Sequence, residues 1–313
     1  MGPALALGLV VALSCAHSVA ILAETQAPPD VTHVEQPTAI ELNEYVRTWP
    51  ELQVYASRLT GPEAGNVKVD LQRGVATANP AGGMLNLLAQ IERQEGRLDE
   101  AERLIERAIA SQPDQHLHHF QRAMIFYARL QQATWGLSRW RWHRRIKDAY
   151  WRAFELNPRP VPYRYYLAYT YLQEPTLMGG DKDEGFRLAQ EGIEMGLKEF
   201  YVVRADAHRF RNETVEAFAD YDTAIEMRTF KLNSFLAAGH LALDRKDFER
   251  ARRYFTWAVN CRPENARTHE GLGDYLAAIG DRPAAVRAYE ASLQRDPASA
   301  GILEKLENLR HTP

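Results

Sequence analysis

The chain has 313 residues, of which 45% are hydrophobic and 25% are charged, and its formal net charge at pH 7 is -3. A chain of this length and composition can bury a full hydrophobic core. Because the net charge is so small, the protein has no overall field that would attract nucleic acid or anionic lipid. We therefore expect no nucleic-acid partner, and we expect partner choice to depend on local surface patches.

Residues 4–23 form an apolar run that is interrupted at only three positions. Small residues near its end provide cleavage sites, as in a secretory signal peptide, and the run is also long enough for an uncleaved membrane anchor. The first Lys or Arg is Arg47, and the acidic residues before it favour export of this flank. Cys15 fits the lipoprotein pattern poorly. We expect residues 1–23 to be a signal peptide or an anchor, and we expect an exported protein that touches a membrane only through such an anchor.

Residues 24–81 form an N-terminal extension and linker. Prolines between positions 28 and 37 indicate an extended lead-in, and apolar residues between positions 40 and 59 predict one or two short helices. Residues 61–83 are rich in Gly, Pro and Asn, which predicts a loop. This segment either covers the first helix pair that follows or forms a flexible tether.

Two pairs of helices are predicted next. In residues 82–115, small and apolar residues recur three and four positions apart, and Gly96 and Pro113 mark the ends of the two helices. The same spacing recurs in residues 116–160, where 45 residues separate Pro113 from Pro158. This second pair is longer by 11 residues than the regular repeat found later in the chain.

The long second pair carries a dense cluster of aromatic and basic side chains. Tryptophan and arginine are the residues that most often anchor protein partners, because they combine a large contact area with a polar group. The cluster is therefore a candidate partner-binding surface. Alternatively, Trp135 and Trp142 belong to an apolar stripe on a lengthened second helix, and the arginines lie on the opposite face of that helix, exposed to solvent. The candidate binding residues here are Trp135, Trp140, Trp142, Arg139, Arg141 and Arg144.

Residues 161–197 form a third predicted pair, with a loop about three residues longer than usual between Pro175 and Gly180. Gly179 and Gly180 lack the other parts of a phosphate-binding loop. They are predicted to end the inserted loop, with Asp181 as the N-cap of the following helix.

Residues 198–299 contain one pattern three times at a fixed period. Thr229, Pro263 and Pro297 close successive segments at intervals of 34 residues. Within each segment, small and aromatic residues recur four and three positions apart, which places them on one helix face. Each segment is predicted to be a pair of antiparallel helices, and the three segments are residues 198–231, 232–265 and 266–299.

This pattern resembles the tetratricopeptide repeat family, which has a Leu-Gly pair in the first helix and Ala-x3-Phe-x2-Ala in the second. The pair Leu272 and Gly273 and the set Ala251, Phe255 and Ala258 carry the resemblance. It implies an all-α, right-handed α-solenoid of about six helix-turn-helix units. The units would span residues 82–299, and residues 300–313 would form a capping helix and tail.

The resemblance also implies a binding groove. In this family the fifth and ninth positions of each repeat point into the groove, and in the third pair these are Tyr165 and Tyr169. The two tyrosines would hold a peptide segment or stack on sugar rings, or they would pack beneath the Trp-rich insertion. The equivalent positions of the other units contain no Lys or Arg, which argues against a clamp for C-terminal carboxylates. Asp206, Glu270 and Asp274 would favour a basic or neutral partner at the far end.

Few residues suggest catalysis or metal binding. His116, His118 and His119 lie close together, but no carboxylate or cysteine completes a metal site, so they are predicted to be surface histidines at a helix start. Cys261 is predicted to be a small buried hydrophobic residue. No nucleophile, base and orienting group stand together. We expect no metal, no cofactor and no enzymatic activity.

These features predict a non-catalytic adaptor that binds a protein or peptide partner through Tyr165, Tyr169 and the Trp and Arg cluster. By resemblance to exported repeat proteins, we place it in the bacterial periplasm or cell envelope. The alternative is a carbohydrate-binding protein that assists polysaccharide export or envelope assembly.

Overall fold

A computed structural model describes residues 64–77, 80–133 and 137–311. Within these residues the chain forms fourteen α-helices, a 3-10 helix at Thr176–Met178 and no β-strand. The signal peptide or anchor predicted at residues 1–23 and the helices predicted at 40–59 lie outside the described residues. In the described part of the chain, no helix combines the length and apolar character needed to cross a membrane.

The chain divides into two compact units, with the boundary between Gln112 and Pro113. The helices of the first unit are α1 (Ala64–Val75), α2 (Gly82–Gln94) and α3 (Leu98–Ser111). Those of the second are α4 (His116–Gln132), α5 (Leu137–Leu156), α6 (Val161–Gln173), α7 (Lys182–Glu194), α8 (Phe200–Phe210), α9 (Thr214–Glu226), α10 (Leu232–Asp244), α11 (Phe248–Cys261), α12 (Ala266–Ala278), α13 (Arg282–Arg295) and α14 (Ala300–His311). From α2 to α13 the described helices form six consecutive pairs, and α14 follows the last one. The prediction of an all-α fold of about six helix pairs and a terminal helix is confirmed.

Helix α1 contradicts the loop that was predicted for residues 61–83. Val67, Leu71 and Val75 lie four positions apart and are buried, and α1 packs against α2. This spacing places one apolar stripe along the helix, and burial of the stripe outweighs the low helix propensity of the Gly and Asn residues nearby.

The second pair differs from the others in length. Helix α4 has 17 residues and α5 has 20, whereas α10 and α11 have 13 and 14. The extra residues therefore lengthen both helices of the second pair, and not only its second helix.

The fifth and sixth pairs meet around one aromatic ring. Phe255 of α11 is fully buried, with Ala251 and Ala258 on the same buried face. Gly239 of α10 and Gly271 of α12 approach the ring so closely that a Cβ atom would lie 2.5 Å from a ring carbon at Gly239 and 2.4 Å at Gly271. The close approach of the three helices therefore depends on glycine at both positions.

Gly239→Ala is expected to destabilise the protein, whereas Gly301→Ala is expected to stabilise it slightly. The methyl group added at Gly239 collides with Phe255, and overpacking of this kind costs about 1–3 kcal/mol. At Gly301 in α14 no atom lies within 4 Å of an added Cβ, and alanine is favoured over glycine in a helix by up to about 1 kcal/mol. Urea unfolding measures both changes. An unfolding free energy that Gly239→Ala leaves unchanged would show that the Phe255 ring moves away at no cost.

Helix α14 covers the end of the sixth pair. Ile302 and Leu306 are buried against Ala285 and Tyr289 of α13, while the residues between them are mostly polar and exposed. A terminal element with one apolar and one polar face is what a stack of repeats needs at an exposed end.

Cys261, the last residue of α11, is buried as predicted. Burial raises the pKa of its thiol to about 12. Its reactive thiolate form is therefore scarce at neutral pH, and the side chain acts as a small hydrophobic residue.

Candidate functional site

The second unit contains a cavity of about 440 Å³. Its walls are formed by α4, α5, α6 and the start of α10. Aromatic rings give it a large apolar surface, and their hydroxyl groups add hydrogen-bonding capacity. We name it the tyrosine cavity after its five tyrosines, which are Tyr127, Tyr150, Tyr165, Tyr166 and Tyr169.

Both groove tyrosines predicted from the sequence lie in the wall of this cavity. The rings of Tyr165 and Tyr169 meet edge to face with 4.9 Å between their centroids, and Tyr165 also packs edge to face on Phe200. Both tyrosines are buried, so each presents only a small part of its ring to the cavity. Their role in binding a partner stays a prediction.

Asp206 of α8 fixes the orientation of Tyr169. Its carboxylate accepts hydrogen bonds from the hydroxyls of Tyr169 at 3.0 Å, Tyr221 at 2.6 Å and Ser234, and from Arg209 at 3.2 Å. These donors lie on α6, α8, α9 and α10, so one buried carboxylate joins three consecutive helix pairs. Burial is the main cause that raises the pKa of Tyr169 and of Tyr221 well above the usual value. Both hydroxyls therefore remain donors at physiological pH.

Lys231 is a cavity residue that the sequence analysis missed. Its Nζ atom lies 2.9 Å from the ring centroid of Tyr169 and 5.6 Å from that of Tyr165, which is a cation–π arrangement. Lys231 is at neither the fifth nor the ninth position of its unit; it directly precedes α10 and reaches the tyrosines by its long side chain. The fifth and ninth positions of the other units do lack Lys and Arg, but a lysine from outside these positions lies at the two tyrosines.

Glu174 is the second charged group of the cavity. It directly follows α6, and the residue is only 3% exposed. The Nδ1 atom of His143 lies 3.2 Å from Oε1 of Glu174, but neither carboxylate oxygen makes a hydrogen bond with a described residue. Burial raises the pKa of Glu174 to about 7 and lowers the pKa of His143. At neutral pH the imidazole is therefore uncharged, and Glu174 is near the midpoint of its titration.

The inserted loop between α6 and α7 holds Glu174 in place. A Cβ atom at Gly180 would lie 1.9 Å from the carbonyl oxygen of Glu174, so only glycine fits there. Gly179 has a φ of 92°, which glycine adopts without strain, and its carbonyl accepts a hydrogen bond from Lys147 at 2.9 Å. The side chain of Asp181 accepts from two backbone N–H groups at the start of α7, so the predicted N-cap is confirmed.

The structure divides the Trp and Arg cluster into packed and exposed residues. Trp142 packs on Phe126 with 5.6 Å between ring centroids, and Arg139 donates to carbonyl groups at the end of α4 at 3.2 and 3.4 Å. Trp135 lies outside the described residues. Packing thus accounts for two of the predicted binding residues. The three that are exposed are Trp140, Arg141 and Arg144.

The exposed part of the cluster adjoins the cavity side of α5. An α-helix turns about 100° per residue, so Trp140, Arg141 and Arg144 share the side of α5 next to the one that presents His143 to the cavity. Leu177, in the inserted loop, is 94% exposed. Large apolar and cationic groups are therefore available on this part of the second unit.

The acidic end that was predicted from Asp206, Glu270 and Asp274 is not an open acidic surface. Asp206 is buried and hydrogen-bonded, as described above. Lys305 of α14 donates to Glu270 at 2.9 Å and to Asp274 at 2.7 Å. Lys305 offsets part of the negative charge of these carboxylates, and the expected preference for a basic or neutral partner at this end stays a prediction.

The prediction that the three clustered histidines are surface residues is also wrong for two of them. His118 and His119 are buried, and burial lowers the pKa of His118 to about 3. A ring nitrogen of His119 donates to the carbonyl of Pro113 at 2.7 Å, and His116 contacts the Tyr163 hydroxyl at 2.6 Å. These residues therefore pack the start of α4. Within the described ranges, no three His, Cys, Asp or Glu side chains are grouped so as to hold a metal ion.

Comparison with known proteins identifies the fold. No curated protein matches the sequence significantly, but the family described as tetratricopeptide repeat matches residues 75–133 and 236–300. A tetratricopeptide repeat protein from Parabacteroides merdae has a similar structure, with 15% identity and a TM-score of 0.59 over 87% of this chain and 100% of the other. Residues 75–133 and 236–300 are therefore tetratricopeptide repeats.

Two further solved structures resemble the chain at low sequence identity. The Cut9–Hcn1 hetero-tetramer of APC/C shares 13% identity over 86% of this chain and 51% of its own, with a TM-score of 0.60. PilW, a type IV pilus biogenesis factor, shares 14% identity over 73% of this chain and 100% of its own, with a TM-score of 0.57. These likenesses establish the fold. Tetratricopeptide-repeat proteins are in general non-catalytic scaffolds for protein interactions.

Proposed function

We propose that this protein is a non-catalytic adaptor of the bacterial cell envelope. It binds a protein partner at the tyrosine cavity and at the neighbouring surface formed by Trp140, Arg141 and Arg144. The observation that carries the proposal is the cavity itself, which combines five tyrosine rings with one glutamate, one lysine and one histidine side chain. Tyrosine, tryptophan and arginine are the residues enriched at the energetic centres of protein interfaces.

The envelope location is supported by two separate observations. Residues 4–23 have the apolar character of an export signal or anchor. The structure also resembles that of PilW, a type IV pilus biogenesis factor. The proposal is thus an exported protein that serves an assembly or secretion machinery of the envelope.

Site-specific photo-crosslinking in cells of the native source tests this proposal. Tyr127 lines the cavity and is 47% exposed, so a photoreactive phenylalanine derivative in its place leaves the buried Tyr165 and Tyr169 intact. Arg252 on α11 is exposed and lies outside the cavity lining, and the same substitution there is the control. We expect a discrete protein adduct at position 127 and none at position 252.

The result that would contradict the adaptor role is the absence of a protein adduct at Tyr127. A heterogeneous adduct that contains sugar would contradict it as well. Equal labelling at Tyr127 and Arg252 would show nonspecific contact and would also count against the cavity.

A second candidate function is binding of a carbohydrate, in polysaccharide export or envelope assembly. It is favoured by the density of rings, since Tyr150 and Tyr166 stack with 5.4 Å between centroids and aromatic faces pack well on sugar rings. Trp142 on α5 provides a nearby fluorophore. A shift of tryptophan fluorescence with soluble glycans, absent with peptides, would favour this function over the adaptor.

A further inference from the structure

The environment of Glu174 defines which partner group the tyrosine cavity receives. A buried carboxylate without hydrogen bonds loses the solvation it has in water, and that loss is offset only when a donor or a positive charge arrives. Glu174 lines the cavity, is almost completely buried, and has no hydrogen bond to a described residue at either carboxylate oxygen. The described chain thus places an unsatisfied acceptor at the wall of a cavity.

We propose that Glu174 binds the cationic side chain, lysine or arginine, of a protein partner that inserts into the tyrosine cavity. This inference rests on the proposed function and specifies the chemistry of the partner. The charged end of the inserted side chain meets the carboxylate, and its aliphatic stem lies along the apolar wall formed by Met124, Leu130 and Ile146. The tyrosine rings also favour a cation, because their faces carry partial negative charge.

Lys231 determines the direction in which the partner's cation enters. Its ammonium group already lies over the ring of Tyr169, so this part of the cavity repels a second positive charge. Glu174 is the carboxylate of the cavity lining. Attraction to Glu174 and repulsion by Lys231 therefore select the same orientation.

The other charged and titratable groups around Glu174 do not replace the partner. On α5, His143 is uncharged at neutral pH because burial and, next, Arg139 lower its pKa. Lys147 is engaged with the carbonyl of Gly179 and lowers the pKa of Glu174, whereas Asp148 raises it.

The remaining ionisable groups of the cavity lining are tyrosines and Lys231. Helix α4 contributes Tyr127, α6 contributes Tyr165, Tyr166 and Tyr169, and the segment before α10 contributes Lys231. Tyrosine hydroxyls do not ionise near neutral pH. Glu174, with a pKa of about 7, therefore changes its charge between pH 6 and pH 8.

Binding of a cation is consequently linked to a proton. Burial gives free Glu174 a pKa of about 7, and a cation binds only the ionised carboxylate. Affinity should therefore rise with pH through this range, and it should be about tenfold weaker at pH 6 than at pH 8.

Titration of the full chain with two small probes tests the inference. The probes are N-acetyl-arginine amide and N-acetyl-citrulline amide, which have nearly the same shape but differ in charge, and binding is followed by NMR at pH 6 and pH 8. We expect the arginine probe to bind about tenfold more weakly at pH 6, and the citrulline probe to bind at least about tenfold more weakly than the arginine probe at pH 8. Equal binding of the two probes at pH 8, or an affinity for the arginine probe that is independent of pH, would overturn the inference.

Two variants provide the matched comparison. Glu174→Gln should lose the arginine probe and the pH dependence, whereas Glu226→Gln, at an exposed position on α9, should behave as the wild type. Wild-type affinity in Glu174→Gln, or pH-independent binding of a neutral glycan in the cavity, would overturn the proposal. If Glu174→Gln does not fold, titration of the wild type with the two probes at pH 6 and pH 8 still tests the inference.

A stability measurement shows whether Glu174→Gln is folded. A carboxyl group whose pKa is raised by folding stabilises the folded state below its unfolded pKa and loses this contribution as pH rises through about 7. Glu174→Gln should therefore unfold at a higher midpoint than the wild type at pH 8 and at about the same midpoint at pH 5.

Crosslinking from Tyr127 distinguishes failure of this inference from failure of the adaptor role. If the wild type yields a protein adduct and Glu174→Gln yields the same adduct equally well, the adaptor role stands and recognition of a cation is wrong. If the wild type yields none, the adaptor role itself fails, and the inference that rests on it fails with it.

Discussion

Asp206→Ala is expected to lower the free energy of unfolding by about 3–5 kcal/mol. The substitution removes the acceptor shared by the hydroxyls of Tyr169, Tyr221 and Ser234 and by Arg209. Buried donors that lose their acceptor retain the full cost of desolvation, and here the donors belong to three consecutive helix pairs. Urea unfolding of the full chain measures the change. We also expect weaker crosslinking from Tyr127, because Tyr169 is no longer held in the cavity wall.

Asp244→Ala is the matched control for this loss of a carboxylate. Asp244 ends α10 and is exposed, so its removal should change the free energy of unfolding by no more than about 0.5 kcal/mol. If Asp206→Ala were as mild as Asp244→Ala, the hydrogen bonds around Asp206 would be contributing little to stability.

Phe200→Ala should cost a similar amount, about 3–5 kcal/mol. Phe200 is fully buried at the start of α8. Its ring fills the space above Gly192, where an added Cβ would lie 2.3 Å from a ring atom, and its centroid lies 6.0 Å from that of Tyr165. Truncation leaves a void behind the cavity wall, so Tyr165 loses a neighbour and partner binding should weaken as well.

Phe248→Ala is the control, because Phe248 occupies the same first position in α11 but is exposed. Phe200→Leu should recover part of the lost stability, since it restores apolar volume without the ring shape. Equal unfolding midpoints for Phe200→Ala and Phe248→Ala would show that the region around Tyr165 repacks without a void.

The features that the sequence predicted are those that depend on residues close together in the chain. The interval of 34 residues between Thr229, Pro263 and Pro297 is enough to predict paired helices, because spacing by three and four fixes one face of a helix. The same register predicted that Tyr165 and Tyr169 share a face, and the structure places both in the wall of one cavity.

The features that the sequence did not predict depend on contacts between distant segments. Lys231 reaches Tyr169, 62 residues earlier in the chain, and no local pattern of residues indicates this. The burial of Glu174 depends on the path of the inserted loop, which one close approach at Gly180 fixes. Helix α1 was missed for a related reason, because its three buried apolar residues pack against α2, while the Gly and Asn residues in the same segment favour a loop.

The pairing of Lys305 with Glu270 and Asp274 limits how this array could grow or shrink. Repeat proteins gain and lose units by duplication and deletion, since each unit contacts mainly its neighbours. A seventh unit inserted before Ala300 would separate Lys305 from both carboxylates, and a chain ending at Arg295 would leave them without this cation. We therefore expect the last helix and the sixth pair to stay together when repeats are gained or lost, and we expect changes in repeat number to occur upstream of them.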